Sequence, residues 1–259
     1  MLNLIDKKIR QSFSNAALQY DVLTSMHQEI GRELVKKVLN ENAQYILDIG
    51  MGTGRMTRAL SFYFPESKVV GMDFADQMIE VAKAKCEKHF IVQANARALP
   101  FRKQIFDLLV SNLAFQWMDD LKRAVDLCYE KMNQEGVFCV TLFGKETFYE
   151  LFEAMSAAHQ EMNTQGEIRR LSSFDEVKNL MEQTPFKNIE MDYERIKTHF
   201  PDVKSLLEWI KKTGANGLRR DFYFGKEFLE KVTTYYEKRY TDRLGICATL
   251  EVIWIKARK

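Results

Sequence analysis

The sequence is poor in the residues that interrupt regular structure. Among its 259 residues, only 4 are proline and 12 are glycine. Disordered segments and long linkers are typically rich in these residues, so the composition argues against both. The chain is 46% hydrophobic and 12% aromatic, which is enough to build a full core. We therefore expect one folded domain with an elaboration rather than two domains.

Cysteine and net charge are also scarce. Cys86, Cys128, Cys139 and Cys247 are scattered without the spacing of metal ligands. The sequence thus predicts no metal site and no disulfide framework, and it indicates a reducing, cytoplasmic setting. The net charge of +2 gives no reason to expect nucleic acid as a partner. No cleavable signal and no apolar run near 18 residues is found, so we expect neither secretion nor a membrane protein.

A glycine-rich turn after an apolar run is the most informative stretch. Residues 45–54 read Tyr-Ile-Leu-Asp-Ile-Gly-Met-Gly-Thr-Gly. The apolar part is typical of a strand inside a parallel sheet, and Gly50, Gly52 and Gly54 allow a tight bend and close approach to a ligand. A helix is expected to begin at Arg55, with its free amide groups facing whatever is bound.

Two acidic residues narrow the class of ligand. Asp48 precedes the glycines, where a carboxylate would repel a pyrophosphate but suits an ammonium group. The compact glycine spacing also differs from that of dinucleotide-binding folds, which leaves a dehydrogenase as a distant alternative. Asp73 ends a second strand-like run, where its carboxylate can accept hydrogen bonds from both ribose hydroxyls. The pair indicates a nucleoside with a positively charged amino-acid tail, as in S-adenosylmethionine.

Strand and helix patterns alternate after the glycine turn. Such repeated alternation predicts a doubly wound α/β fold with a parallel sheet. Two helices are expected before the sheet, with Tyr20 at a helix end, placed to close over the ligand. The predicted strands are 68–73, 90–92, 106–110, 137–142 and 186–200, with a final strand at 248–255 and helices near 76–88, 121–132, 147–162, 203–213 and 227–239.

From Asn95 onward the pattern resembles one family. Residues 42–143 are similar to the class I S-adenosylmethionine-dependent methyltransferases, which implies a Rossmann-like, seven-stranded sheet with an antiparallel last strand. That family usually offers an aspartate and the next backbone N–H to the adenine, and this chain has Asn95 and Ala96 there. The amide oxygen of Asn95 can still accept from the adenine amine, without the charge. The cofactor-binding residues that the resemblance implies are Tyr20, Asp48, Gly50, Gly52, Gly54, Asp73, Phe74, Met78, Asn95, Ala96 and Asn112.

Four further segments together resemble one subgroup. They are residues 13–21, 112–117, 144–152 and 206–216. The subgroup is the malonyl-acyl-carrier-protein O-methyltransferases of biotin synthesis, and the likeness spans essentially the whole chain. It implies methyl transfer from S-adenosylmethionine to the free carboxylate of a malonyl thioester, with S-adenosylhomocysteine as product. Because a carboxylate is already ionised near neutral pH, we expect no catalytic base.

Substrate residues are predicted from position and charge. Gln116 and Trp117 follow strand four, nearest the transferred methyl in the family. Arg169 or Arg170, in a helical lid expected after strand five, can hold the second carboxylate oxygen in a fork. The thioester is expected on acyl-carrier protein or coenzyme A, and an acidic carrier would dock on a basic patch, for which a solvated face is the alternative. The patch consists of Lys211, Lys212, Arg219 and Arg220.

The expected organisation is a single monomeric domain in four parts. They are N-terminal cap helices at 1–41, a cofactor-binding core at 42–144, lid helices with strand six at 145–204, and C-terminal helices with the last strand at 205–259. Two other functions stay open. One is a methyltransferase for another small acceptor, such as a free dicarboxylic acid or a quinone precursor. The other is a cofactor-binding protein without catalysis, which only Asn95 favours.

Overall fold

A mixed β-sheet forms the centre of the protein in the computed structural model, which describes residues 4–86, 89–166, 170–215 and 225–259. Its strands are β1 (Tyr45–Ile49), β2 (Lys68–Asp73), β3 (Phe90–Gln93), β4 (Phe106–Asn112), β5 (Met132–Phe143), β6 (Lys187–Phe200), β7 (Thr241–Asp242) and β8 (Gly245–Arg258). Across the sheet they lie in the order β3-β2-β1-β4-β5-β8-β6, and β7 pairs with β8 beside that path.

The pairing directions match a doubly wound sheet. β1 is parallel to β2 and β4, β2 to β3, and β4 to β5. β8 is antiparallel to both of its long neighbours, β5 and β6. The predicted seven-stranded class I sheet with an antiparallel last strand is therefore confirmed. The two-residue strand β7 was not predicted, because so short a segment has no readable pattern.

Helices cover both faces of this sheet. In β4, Leu108 packs with Leu34 on one side, whereas Leu109 packs with Val125 on the other. Neighbouring side chains of a strand point to opposite faces, so a strand buried on both sides reads as a continuous apolar run. The helices are α1 (Leu4–Leu23), α2 (Ser25–Lys36), α3 (Arg55–Tyr63), α4 (Asp76–Lys85), α5 (Leu121–Lys131), α6 (Tyr149–Met162), α7 (Phe174–Glu182), α8 (Val203–Lys212) and α9 (Lys226–Arg239).

Strand β5 begins five residues before the predicted Val137. The pairing shifts between Met132, opposite Phe106, and Val137, opposite Leu108. The residues between, expected as a loop, are an irregularity within the strand, and Glu135 there has a φ of +63°. Such a bulge inserts residues without ending the pairing. A local apolar pattern does not reveal it, because these residues are polar.

Helices α6 and α7 lie between β5 and β6 in the chain, where an insertion was expected. α7 begins at a capping box, in which Ser173 and Glu176 exchange side-chain and backbone hydrogen bonds. α6 begins at Tyr149 rather than Thr147, because Phe148 adopts a left-handed conformation and donates its N–H to the Thr249 carbonyl at 2.7 Å. None of the helices in the described ranges is long and apolar enough to cross a membrane.

A buried glutamate joins α6 to β8. Glu150 is 1% exposed, and its carboxylate accepts the Thr249 N–H at 3.0 Å and the Thr249 hydroxyl at 2.5 Å. Both hydrogen bonds are shielded from water, so losing the acceptor would leave buried donors unpaired. Glu150 therefore fixes where α6 sits on the sheet.

Glu150→Ala should lower the free energy of unfolding by about 1–3 kcal/mol, because the Thr249 donors would lose their partner. Urea unfolding followed by circular dichroism measures this change. Glu161→Ala is the matched control on the same helix, since the largely exposed Glu161 pairs with Lys231 near the surface, and its loss should change stability by at most about 1 kcal/mol. Equal effects of the two substitutions would contradict the role given to Glu150.

Candidate active site

The first cavity lies at the carboxyl edge of the sheet. Ile49, Asp73 and Asn112 are the last residues of β1, β2 and β4, and all three line it. Ligands of open α/β sheets bind outside the carboxyl ends of the strands, so this location agrees with the expected cofactor site. The predicted cofactor residues that line it are Tyr20, Gly50, Gly52, Asp73, Phe74, Met78, Asn95, Ala96 and Asn112.

Gly50 and Gly54 of the glycine turn have different structural roles. Gly50 has a φ of +73°, and a Cβ there would lie 2.3 Å from the Cβ of Ala114, so only glycine fits against the segment that follows β4. Gly54 does not line the first cavity. Its φ is +81°, and a Cβ would lie 2.5 Å from the Cys86 sulfur at the end of α4. Gly54 thus allows the start of α3 to approach the Cys86 side chain and does not itself approach the cavity.

Asp73 forms hydrogen bonds to the backbone of the glycine turn and also lines the first cavity. Its Oδ2 accepts the Gly52 N–H at 2.9 Å, and its Oδ1 accepts the Ala75 N–H at 2.9 Å. Burial raises the pKa of Asp73, and these backbone N–H groups oppose the rise. Each carboxylate oxygen keeps a second lone pair, which is available to a ligand hydroxyl.

Asp48 lines a second cavity that adjoins the first. It is 1% exposed; its Oδ2 accepts the Thr57 hydroxyl at 2.7 Å, whereas its Oδ1 has no hydrogen-bond partner in the described structure. Burial raises the pKa of Asp48 to about 7; Thr57 opposes the rise, and the nearby charge of Asp73 adds to it. A buried, half-paired carboxylate of this kind attracts a cation. The residues common to both cavities are Tyr20, Gly50, Gly52 and Asn112.

The two asparagines of the site hold backbone as well as lining the cavity. Asn112 donates to the His27 carbonyl at 2.9 Å and accepts from the Thr141 hydroxyl at 2.8 Å, so it links α2 to β5. The Asn95 side-chain oxygen accepts the Arg97 N–H at 2.9 Å, which shapes the turn after β3. That oxygen retains a second lone pair for a ligand donor.

A third, aromatic cavity adjoins the first. Trp117 lines both, and its ring lies 5.4 Å from that of Phe13 in an edge-on contact. Leu113, with a φ of +55°, turns the chain after β4 so that the short 3-10 turn Phe115–Trp117 follows. Gln116 also lines the third cavity and donates to the Leu113 carbonyl at 2.7 Å. The structure therefore brings two of the predicted substrate residues, Gln116 and Trp117, to one place beside the first cavity.

His27 lines the second and third cavities, and the sequence analysis missed it. Its ring contacts Tyr20, Phe143 and Trp209. Burial lowers the pKa of His27 to about 4, and the Arg55 charge adds to this, so the ring is neutral at pH 7. No local signal in the sequence points to it, because Tyr20 is on α1 and His27 is on α2, and the break between the two helices at Thr24 sets how their side chains meet.

The described lysines and arginines that were predicted to contact the substrate or its carrier do not line the third cavity. Arg170 is exposed and lines a fourth cavity, which shares Leu171 with the third. Among the described residues that line the third cavity there is no lysine or arginine. Lys211 and Lys212 are exposed in the last turn of α8, where Lys212 pairs with Glu208 at 3.4 Å. The predicted residues Arg169, Arg219 and Arg220 lie outside the described ranges.

The sequence is similar to those of known methyltransferases. Residues 47–140 match the model of the methyltransferase domain family. The malonyl-acyl-carrier-protein O-methyltransferase of Bacillus anthracis is 27% identical over 99% of this chain and 98% of its own. The same-named protein of Geobacter sulfurreducens is 28% identical over 97% and 98%, respectively.

Solved structures share the fold at low identity. The YcgJ protein of Bacillus subtilis superposes with a TM-score of 0.64 at 18% identity, over 90% of this chain and 98% of that one. A phosphoethanolamine N-methyltransferase 2 of Haemonchus contortus, solved with S-adenosyl-L-methionine, gives a TM-score of 0.57 at 18% identity, over 88% and 52%. The similarity to both structures extends well beyond residues 47–140.

Asp48 should make stability depend on pH. Its pKa is 3.8 ordinarily and about 7 in the fold, so between these values the native state binds more protons than the unfolded state. The free energy of unfolding should therefore fall as pH rises from about 4 to 7 and then level off. Asp48→Asn keeps the acceptor for Thr57 but cannot ionise. The difference in free energy of unfolding between Asp48→Asn and the original protein should therefore rise by about 2 kcal/mol, in favour of the variant, as the pH rises from about 5 to 8.

Urea unfolding at several pH values tests this, with the exposed Asp192→Asn as control. Stability curves for Asp48→Asn and the original protein that stay parallel across the window would show that Asp48 is ionised throughout. The control curve should be parallel to that of the original protein.

Proposed function

Because the chain is an S-adenosylmethionine-dependent methyltransferase, we propose that it methylates the free carboxylate of a malonyl thioester carried by acyl-carrier protein. The product would be the methyl ester that starts pimeloyl formation in biotin synthesis. The observation that carries this proposal is the extent of the likeness. Two relatives named for this reaction match over 99% and 97% of the chain, which includes the helices outside the core.

The first two cavities fit the proposed cofactor. S-adenosylmethionine supplies a methyl group on a positively charged sulfur. We assign the ribose hydroxyls to Asp73 and the adenine edge to Asn95 and the Ala96 N–H. The ammonium group is assigned to Asp48, which lines the second cavity and whose Oδ1 has no hydrogen-bond partner in the described structure. Gly50 and Gly52 bring the backbone close to the same region, and Tyr20, Phe74, Met78 and Asn112 complete the assignment.

The third cavity fits an acceptor that is already ionised. Its wall is largely aromatic, so it excludes water, and it meets the first cavity at Tyr20 and Trp117. His27 is the titratable imidazole in that wall, and its pKa of about 4 makes it a weak base near neutral pH. A hydroxyl acceptor would need a base, whereas a carboxylate needs only alignment in a dry pocket. His27 thus favours carboxyl methylation.

The insertion between β5 and β6 is assigned the role of a lid. In this proposal the single domain keeps the division at 1–41, 42–144, 145–204 and 205–259. Arg170 lies one cavity away from the aromatic wall, at a point where closure of the insertion would bring a guanidinium to the substrate carboxylate. Arg169 shares this assignment, and Gln116 offers a neutral contact from within the third cavity.

A second function is kept because one observation favours it. The third cavity is lined by no lysine or arginine among the described residues, so an uncharged acceptor such as a quinone precursor also fits. A free dicarboxylic acid is the other small acceptor that needs no carrier, but its two charges are not favoured by this observation. The cofactor assignments are the same for both functions.

Turnover with labelled S-adenosylmethionine separates these possibilities. Malonyl-acyl-carrier protein, malonyl coenzyme A, free malonate and a hydroxylated quinone precursor are compared side by side. The proposal predicts that a methyl ester forms fastest on the carrier-bound thioester. Tight cofactor binding with transfer only to the quinone precursor would reject the malonyl substrate and support the second function.

Asp73→Asn should weaken binding of S-adenosylhomocysteine about 10–100-fold, because one charged acceptor for the ribose is lost while the shape is kept. Isothermal titration calorimetry measures the change. The exposed Asp192→Asn serves as control and should bind as the original protein does. Unchanged affinity in Asp73→Asn would contradict the ribose assignment.

Reversing the charge of the described part of the basic patch tests carrier docking. The double variant Lys211→Glu/Lys212→Glu should raise the KM for malonyl-acyl-carrier protein about 5–10-fold and leave that for malonyl coenzyme A unchanged, since rim charges act on encounter. The control is Lys178→Glu/Lys187→Glu, two exposed lysines on α7 and β6. An equal effect on both thioesters would contradict docking there. Arg219 and Arg220 are tested in the same way.

A further inference from the structure

Three potential metal ligands from separate strands meet at one end of the sheet. His199, near the end of β6, and Cys247, near the start of β8, are directly opposite each other in the antiparallel pair. Asp242 ends β7, which folds back onto β8 in a tight turn. None of the three residues lines the first, second or third cavity. The cluster is thus separate from the site described above.

The spacing of the three ligand atoms resembles one face of a zinc tetrahedron. His199 Nε2 lies 2.9 Å from Asp242 Oδ2, and Cys247 Sγ lies 3.3 Å from that oxygen and 3.4 Å from that nitrogen. Zinc bonds of about 2.0–2.3 Å in tetrahedral geometry separate neighbouring ligand atoms by about 3.3–3.6 Å. A metal ion would therefore need the group to expand by only a few tenths of an ångström.

The surrounding hydrogen bonds hold these ligands in place. Asp242 Oδ1 accepts the Leu244 N–H at 2.8 Å, which leaves Oδ2 to face the cluster. The Cys247 N–H donates to the Tyr240 carbonyl at 2.7 Å, and the Tyr236 hydroxyl donates to the Cys247 carbonyl at 2.6 Å. Ligands fixed by partners in this way bind metal with less loss of conformational freedom.

We propose that His199, Asp242 and Cys247 bind one Zn²⁺ ion, with water in the fourth position. Imidazole nitrogen, thiolate sulfur and carboxylate oxygen are the ligand types that zinc takes in proteins. Binding through sulfur transfers the Cys247 thiol proton to solvent, and His199 binds through Nε2 with its proton on Nδ1.

The ion would join two helices through the sheet edge. β6 ends at Phe200, just before α8 begins at Val203, and α9 ends at Arg239, just before β7 begins. Zinc at the cluster ties the start of α8 to the end of α9. The role is structural, and the sequence did not predict it, because the ligands are brought together by strand pairing and not by spacing along the chain.

Metal binding is measured on the full chain after treatment with a chelator. Equilibrium dialysis should give one zinc per chain, and cobalt should produce a thiolate-to-metal absorption band. Cys247→Ser should abolish the band, and His199→Gln and Asp242→Asn should each weaken zinc binding at least tenfold. His89→Gln, a histidine outside the cluster, is the control. Unchanged zinc affinity in Cys247→Ser would overturn the proposal.

A thiol reagent gives a readout that does not depend on the folding of variants. Cys247 is partly exposed, whereas Cys86, Cys128 and Cys139 are buried. The native, metal-free chain should therefore react at one thiol, and stoichiometric zinc should slow that reaction at least tenfold. Reaction at the same rate with and without zinc would contradict the assignment.

Discussion

Two buried carboxylates at the ends of adjacent strands are the constraint on which the site depends. Burial raises the pKa of both Asp48 and Asp73, and the nearby charge of Asp73 raises that of Asp48 further. Asp73 is relieved by two backbone N–H groups, but Asp48 keeps one oxygen unpaired. A ligand with a cationic tail and ribose hydroxyls supplies the missing partners. The missing hydrogen-bond partners of the two carboxylates therefore favour a ligand with a cationic group and ribose hydroxyls.

The N-terminal helices α1 and α2 supply the part of the site wall that the sheet does not form. α1 packs against α4 and α8, and α2 packs against β4 and β5. Asn112 connects α2 to the sheet, and Tyr20 and His27 project from these helices into the aromatic wall of the third cavity. In the proposed function this wall lies between cofactor and acceptor, and because it is aromatic and His27 is neutral, it suits the alignment of an ionised acceptor in a dry space.

The sequence predicted those parts of the structure that depend on residues close together in the chain. The buried strands read as apolar runs, and the glycine turn with Asp48 and Asp73 named the ligand class, because each signal lies within a few residues. The bulge at the start of β5, the packing of Gly54 against Cys86 and the position of His27 depend on partners distant in the chain. The cluster of His199, Asp242 and Cys247 likewise exists only through the register of β6 and β8. One sequence carries no direct record of such pairings.

The most direct test of the account is the proton balance of cofactor binding. Titration of S-adenosylhomocysteine at about pH 7, in two buffers of different ionisation enthalpy, measures the protons released. Because the pKa of Asp48 is about 7 in the free protein, an ammonium group beside it should drive off about half a proton per ligand. Asp48→Asn should release none and bind more weakly. Equal proton release by both proteins would contradict the central role of Asp48.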